Sequence, residues 1–184
     1  CYIDIFYEKE PTGTLEVCEI MGNKLDNLLI FHSLSKRSNA AGLRSGFLVG
    51  DARIINCFKK LRSYAAPTIP IPLQFASAEL WRDEDHVKNN RALYRKKVKF
   101  ASQVFSNYSL YNSPEAGFFI WLDVKDGEVF TKRLYSKFGI RVMPGEYLAF
   151  GKKNNPGKNY VRIALVHKEW KNNLALRKIS KLLS

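Results

Sequence analysis

The chain has 184 residues, of which 46% are hydrophobic and 26% charged, a composition that excludes disorder and allows one domain or parts of two. Its formal net charge is +13, but the 30 lysines and arginines are spread along the whole chain with no nucleic-acid-binding motif beside them. That surplus therefore suits acidic small molecules better than nucleic acid, and no apolar run approaches the roughly 20 residues that span a bilayer.

Three widely separated cysteines, Cys1, Cys18 and Cys57, and three scattered histidines give no metal-ligand spacing. They predict thiols in a reducing, cytoplasmic setting. The chain opens on Cys1 with no signal-peptide pattern, directly into "YIDIFY", whose aromatic and β-branched content predicts a strand. An opening in mid-strand suggests a fragment.

"EKEPTGTL" predicts a loop and "LEVCEIMG" one or two helical turns closing at Gly22. "NLLIFHS" and "RSGFLVG" are continuous apolar runs, the pattern of buried parallel strands. "DARIINCFKKLRSYAA" carries an N-cap candidate, Asp51, and an apolar stripe at 54, 55, 58 and 61, so a helix is predicted. "PTIPIP" stops it, and "LQFASAELWR" resumes helical propensity. A long helix follows in "DEDHVKNNRALYRKKVKFASQVFS". Val87, Tyr94, Val98, Ala101 and Phe105 line one face, and Lys88, Arg91, Arg95, Lys96 and Lys99 mostly line the solvated remainder.

From "SPEAG" onward the pattern becomes α+β. "GFFIWLDV" is a strand, "GEVFTKRLYSKFG" a helix ending at the C′ glycine Gly139, and "IRVMPG" a short strand into a turn. "KNNPGKN" is a loop, "YVRIALV" a strand and "KEWKNNLALRKISKLL" a final helix. Alternation in "YVRIALV" puts Val161, Ile163 and Leu165 on one face and Arg162 on the other. Arg162 is then either a solvent-facing charge or a carboxylate clamp.

The segment between the two apolar runs, "SLSKRSNAAGLRSG", carries the chemistry. Read alone, it is a solvated basic loop, or a loop at a strand end where α/β sheets gather ligands. In the second case Ser33, Ser35 and Arg44 offer hydroxyls and a guanidinium fork to a phosphate. Cationic neighbours lower the proton affinity of a lysine, and a neutral amine at Lys36 can condense with an aldehyde. Pyridoxal 5′-phosphate is a phosphate-bearing aldehyde of that kind.

The spacing of Ser33, Lys36, Gly42, Arg44 and Gly46 resembles the lysine-attachment motif of class I/II aminotransferases, the fold-type I pyridoxal-phosphate enzymes. Ser45 departs from it where an aliphatic residue is usual. The resemblance continues in order through "CYIDIFYE", "IPIPLQFASAEL", "GFFIWLDV", "GIRVMPGEYLAFG" and "NYVRIALV". The wording "FHSLSKRSNAAGLRSGF" is most similar to succinyldiaminopimelate and aspartate-type aminotransferases, which points towards lysine biosynthesis or aspartate metabolism.

The resemblance implies an α/β fold-type I arrangement in its C-terminal part. Residues 1–60 would end the large cofactor-domain sheet, 61–110 would be linking helices, and 111–184 a small α+β domain. Lys36 would hold pyridoxal 5′-phosphate as a Schiff base and move the substrate proton. Ser33, Ser35 and Arg44 would hold its phosphate, Tyr2 would hydrogen-bond its phenolic oxygen, and Arg162 would clamp the substrate α-carboxylate. The partners implied are an amino acid, a 2-oxo acid, a missing N-terminal half, and a second copy in a homodimer. The aspartate that pairs with the pyridinium nitrogen would lie just before Cys1, so the isolated chain is expected to bind cofactor weakly and not to turn over. "SYAAPTIPIP" holds no arginine for a distal carboxylate, which leaves the substrate open. Acyl-transfer or lyase chemistry on the same fold, and a non-catalytic basic binding module, are the rival expectations.

Overall fold

The computed structural model describes residues 1–66, 68–151 and 154–183. The chain divides into two compact units, Cys1–Ala92 and Leu93–Ser184. The predicted stop at "PTIPIP" and the predicted loop "KNNPGKN" each include one residue, Pro67 and Lys153, outside the described set.

In the first unit, α1 (Thr14–Ile20) is followed by β1 (Leu29–Ser33), a single helical turn α2 (Leu34–Arg37), and β2 (Gly46–Gly50). Helices α3 (Ala52–Arg62) and α4 (Ile71–Arg82) come next, and α5 (Asp85–Val104) begins in this unit. Asp51 caps α3 as expected, accepting from the Arg53 N–H at 2.8 Å and the Ile54 N–H at 3.4 Å. Pro72 does not forbid helix. It sits in the first turn of α4, where its missing N–H has no intrahelical partner to lose.

Three expectations for this unit are corrected. Residues 2–5 form a turn, closed by the Ile5 N–H on the Tyr2 carbonyl at 2.9 Å, and not a strand. Side chains take up the neighbouring backbone groups there: the Arg91 Nε donates to the Asp4 carbonyl at 2.9 Å. Secondly, β1 and β2 pair antiparallel, Ser33 opposite Gly46 and Leu29 opposite Gly50. The intervening segment holds only α2 and a 3₁₀ turn at Ala41–Leu43, so it folds back on itself and does not carry the chain along the sheet as a parallel crossover must. Thirdly, these strands are not buried: Phe31 is 59% exposed, and Phe47 and Val49 are also open. The α3 stripe is similarly uncovered at Phe58 and Leu61.

The second unit has a fuller core. β3 (Phe119–Asp123), β4 (Met143–Pro144) and β5 (Tyr160–Ala164) form an antiparallel sheet in the order β3-β5-β4. Helices α6 (Gly127–Phe138) and α7 (Glu169–Leu183) complete the unit. Ile120, Leu122, Val161 and Ile163 are buried from the strands, with Phe130 and Leu134 of α6 and Leu176 and Ile179 of α7. The stripe predicted for the long helix is buried at each expected position, Val87 in the first unit and Tyr94, Val98, Ala101 and, just past the end of α5, Phe105 in the second. Gly139 ends α6 at φ 66°, as a C′ residue does.

Candidate active site

Lys36 is the third residue of α2, a turn too short to be stable on its own hydrogen bonds. Its N-cap is Ser33, whose Oγ accepts from the Ser35 N–H at 3.1 Å. The same Oγ lies 2.9 Å from Ser35 Oγ and 3.2 Å from the Ser45 carbonyl. Leu34 is fully buried beneath the turn. The Lys36 ammonium stands 5.5 Å from the centroid of the Tyr2 ring. The structure thus brings Tyr2 against Lys36, and Ser33 against Ser35, within one short segment.

Arg44 is placed differently. It adopts a left-handed backbone, φ 54° and ψ 30°, which costs a non-glycine residue about 1–2 kcal/mol. Its guanidinium donates to the Ala41 carbonyl at 3.0 Å and lines a groove with Phe47, Phe58 and Arg62.

Arg162 lies in the second unit. Alternation along β5 keeps it off the core face, opposite Trp121 on β3 and Met143 on β4. Its guanidinium carbon sits 4.3 Å from the Phe119 ring centroid, a cation–π contact that orients the fork. Arg162 also lines a cleft of about 720 Å³ with Arg141, Trp170, Lys171 and Lys178.

A polar cluster that the sequence reading missed is packed beside the Lys36 turn. Arg37, 7% exposed, donates from one terminal nitrogen to Asp4 Oδ1 at 2.8 Å and from the other to Glu84. Its guanidinium stacks 5.7 Å from the Trp81 ring. His32 Nε2 lies 3.2 Å from Asp4 Oδ2, while His32 Nδ1 accepts from the Ser33 N–H at 2.8 Å. An accepting Nδ1 leaves the proton on Nε2, facing the carboxylate. Burial pushes the Asp4 carboxyl up, but the bond from His32 and the Arg37 charge outweigh it and hold it below the usual carboxylate range. The one sequence signal was an aspartate set inside an otherwise aromatic and aliphatic run.

The donor set around Lys36 fits a phosphorylated aldehyde: an amine, a phenol beside it, and two linked hydroxyls on the same turn. Among the described residues no group of three or more histidine, cysteine, aspartate or glutamate side chains could hold a metal ion, and no helix is long and apolar enough to cross a membrane.

The family model for aminotransferases of class I and II matches residues 1–179. A 4-dedimethylamino-4-oxo-anhydrotetracycline transaminase from Streptomyces rimosus is 32% identical over 166 residues, covering 89% of this chain and 44% of its own. An LL-diaminopimelate aminotransferase from Nitratidesulfovibrio vulgaris is 31% identical over 170 residues, covering 89% and 42%. Among solved structures, an aminotransferase from Neisseria meningitidis superposes with a TM-score of 0.93 at 39% identity, covering all of this chain and 48% of that one. The aminotransferase AspB from Helicobacter pylori gives 0.90 at 37% identity, covering 98% and 47%. The chain spans about half the length of the relatives it matches. With the motif around Lys36, the match over nearly every residue and these superpositions in agreement, the chain belongs to the class I and II aminotransferases.

Proposed function

We propose that this chain carries the lysine-bearing half of an aminotransferase active site, serving amino transfer between an amino acid and a 2-oxo acid. The observation that carries the reading is the Lys36 ammonium set against the Tyr2 ring on a turn capped by Ser33. Pyridoxal 5′-phosphate, the cofactor of the family, supplies an aldehyde and an electron sink when bound. Lys36 is the residue that would hold it and carry the proton at the substrate α-carbon. Tyr2 would orient that amine and hydrogen-bond the cofactor's phenolic oxygen. Ser33 and Ser35 would offer hydroxyls to the phosphate and Arg44 its guanidinium, which here donates to the Ala41 carbonyl. Arg162 clamps the substrate carboxylate, its fork held by Phe119.

The substrates proposed are acidic, of the succinyldiaminopimelate or aspartate type. The +13 charge supports an acidic substrate, and relatives named for LL-diaminopimelate support the diaminopimelate skeleton. Domain borders near residues 60 and 110 and a homodimeric, cytoplasmic whole protein complete the proposal. Uncovered apolar side chains at Phe31, Phe47, Val49, Phe58 and Leu61 support a first unit completed by further chain. The 184-residue chain alone is then a weak cofactor binder with no turnover.

The test is reductive capture in the full-length protein. Pyridoxal phosphate and borohydride should add one label, on the peptide holding Lys36, and Lys36→Ala should abolish both the label and oxo-acid-dependent amino transfer. A label on another lysine sinks the assignment. Turnover independent of any oxo acid favours acyl transfer or lyase chemistry instead.

A further inference from the structure

We infer that Arg37 is a positioning residue: by bridging Asp4 and Glu84 it holds the Tyr2 ring against Lys36. The inference rests on the functional reading above and adds a residue to it. Three segments meet at this guanidinium. Asp4 belongs to the turn that begins at Tyr2, Glu84 immediately precedes α5, and Arg37 itself ends the turn that carries Lys36. Asp4 is also gripped from its other side, through its carbonyl by Arg91 and through its second oxygen by His32. The Arg91 guanidinium lies 3.8 Å from the Phe6 ring, which fixes the far end of the same turn. The Arg37 carbonyl accepts from Asn90 at 3.4 Å, and the next residue, Ser38, meets His86 at 2.8 Å.

The turn bearing Tyr2 lies outside the named strands, and α2 has four residues. Neither can fix its own orientation, so the Tyr2–Lys36 spacing is set by what ties them together. Arg37 is a direct side-chain link between the two segments beside the Tyr2–Lys36 contact itself, and its planar fork can serve two carboxylates at once, which a lysine cannot. A buried arginine could instead serve stability alone. The two roles differ in one respect: a positioning role acts through Tyr2 and disappears when Tyr2 is removed.

The experiment uses the full-length protein and the variants Arg37→Met, Arg37→Lys, Asp4→Asn and Glu84→Gln, each with and without Tyr2→Ala. Two readouts are taken beside the melting temperature. The first is the rate at which pyridoxal phosphate is captured on Lys36: the amine attacks the aldehyde carbon, water leaves, and borohydride supplies the hydride that fixes the secondary amine. The second is the split of amino transfer into kcat and KM. Arg37→Met should slow capture and lower kcat on the order of 10- to 100-fold, the cost of misplacing a reacting group by about 1 Å, with KM little changed. Arg37→Lys should not restore the rate. In the Tyr2→Ala background the same substitutions should cost several-fold less, a coupling that only a shared arrangement produces. If Arg37→Met does not fold, Asp4→Asn and Glu84→Gln carry the test, each with a smaller loss and the same dependence on Tyr2. Equal penalties with and without Tyr2, or full rescue by lysine, overturn the positioning role. Wild-type protein captured on Lys36 with unaffected variants overturns this inference alone; wild-type protein captured elsewhere overturns the functional reading with it.

Discussion

Gly127 begins α6, and its N–H donates to the Lys158 carbonyl at 2.8 Å. Next to it, the Val124 N–H donates to the Asn159 carbonyl at 2.7 Å. A Cβ added at Gly127 would lie 2.3 Å from the Tyr160 carbonyl oxygen and 3.1 Å from its carbon. Ordinary contact begins near 3.4 Å, so the backbone entering β5 would retreat by roughly 1 Å. Helix propensity favours alanine over glycine by about 1 kcal/mol. Overpacking against backbone costs about 1–3 kcal/mol, and each strained hydrogen bond adds about 1 kcal/mol. The clash wins, and Gly127→Ala should destabilise the second unit by about 1–3 kcal/mol. For a unit of this size that is a fall of roughly 5–20 °C in melting temperature. Gly139→Ala is the comparison. Its φ of 66° strains any side chain, but nothing lies within 4 Å, so the cost stays near about 1 kcal/mol. Thermal unfolding followed by circular dichroism measures both. Wild-type stability in Gly127→Ala, or a larger loss in Gly139→Ala, would refute the argument that close approach outweighs backbone conformation here.

On the proposed carboxylate clamp, Arg162→Lys in the full-length protein should lose a bidentate pair worth about 1.5–3 kcal/mol, seen as a KM for the amino acid raised roughly 10- to 150-fold in steady-state kinetics. Asp51 accepts from the Asn27, Arg53 and Ile54 N–H groups, with Asn27 the strongest influence, and its carboxyl is held below the usual range. A depressed carboxylate stabilises the fold above its unfolded pKa and loses that contribution as pH falls through the folded value. Asp51→Ala should therefore lower the melting temperature near pH 7 and flatten its decline below about pH 4. Asp4 carries the same sign, so Asp4→Asn should also flatten the acid limb.

Elements with a strong period of their own were legible in the sequence. The α5 stripe and the alternation of β5 each declare a buried face, and burial at Tyr94, Val98, Ala101, Val161 and Ile163 follows them. β1 and β2 were legible as strands but not in direction, because a continuous apolar run states that a strand is apolar on both sides and nothing about its neighbour. "YIDIFY" misled for a related reason: β-branched and aromatic residues favour a pleated surface only where another strand supplies one. There, Arg91 takes the Asp4 carbonyl and Arg37 the Asp4 carboxylate. The Lys36 motif named the residue types of the candidate site but not their orientation, and Arg44 on the Ala41 carbonyl shows the difference.

The two units present their key residues by different physical means. Arg162 is presented by local pattern: once β5 pairs with β3 and β4, a two-residue period puts it off the core face whatever lies beyond the sheet. Lys36 has no such guarantee. Among the described residues the buried apolar side chains of the first unit are Ile5, Tyr7, Cys18, Leu34 and Val87, few for a segment of this length. Its turn is held instead by polar links that span the unit, from Asp4 to Arg37, from Arg37 to Glu84 and from Asp4 to Arg91. Such links join residues far apart in sequence and carry no periodic signature, so only the folded structure reveals them. The Asp4–Arg37 link also responds to pH and to charge substitution in a way that an apolar core does not. The Lys36 turn should therefore lose its arrangement in acid before the Arg162 strand loses its register.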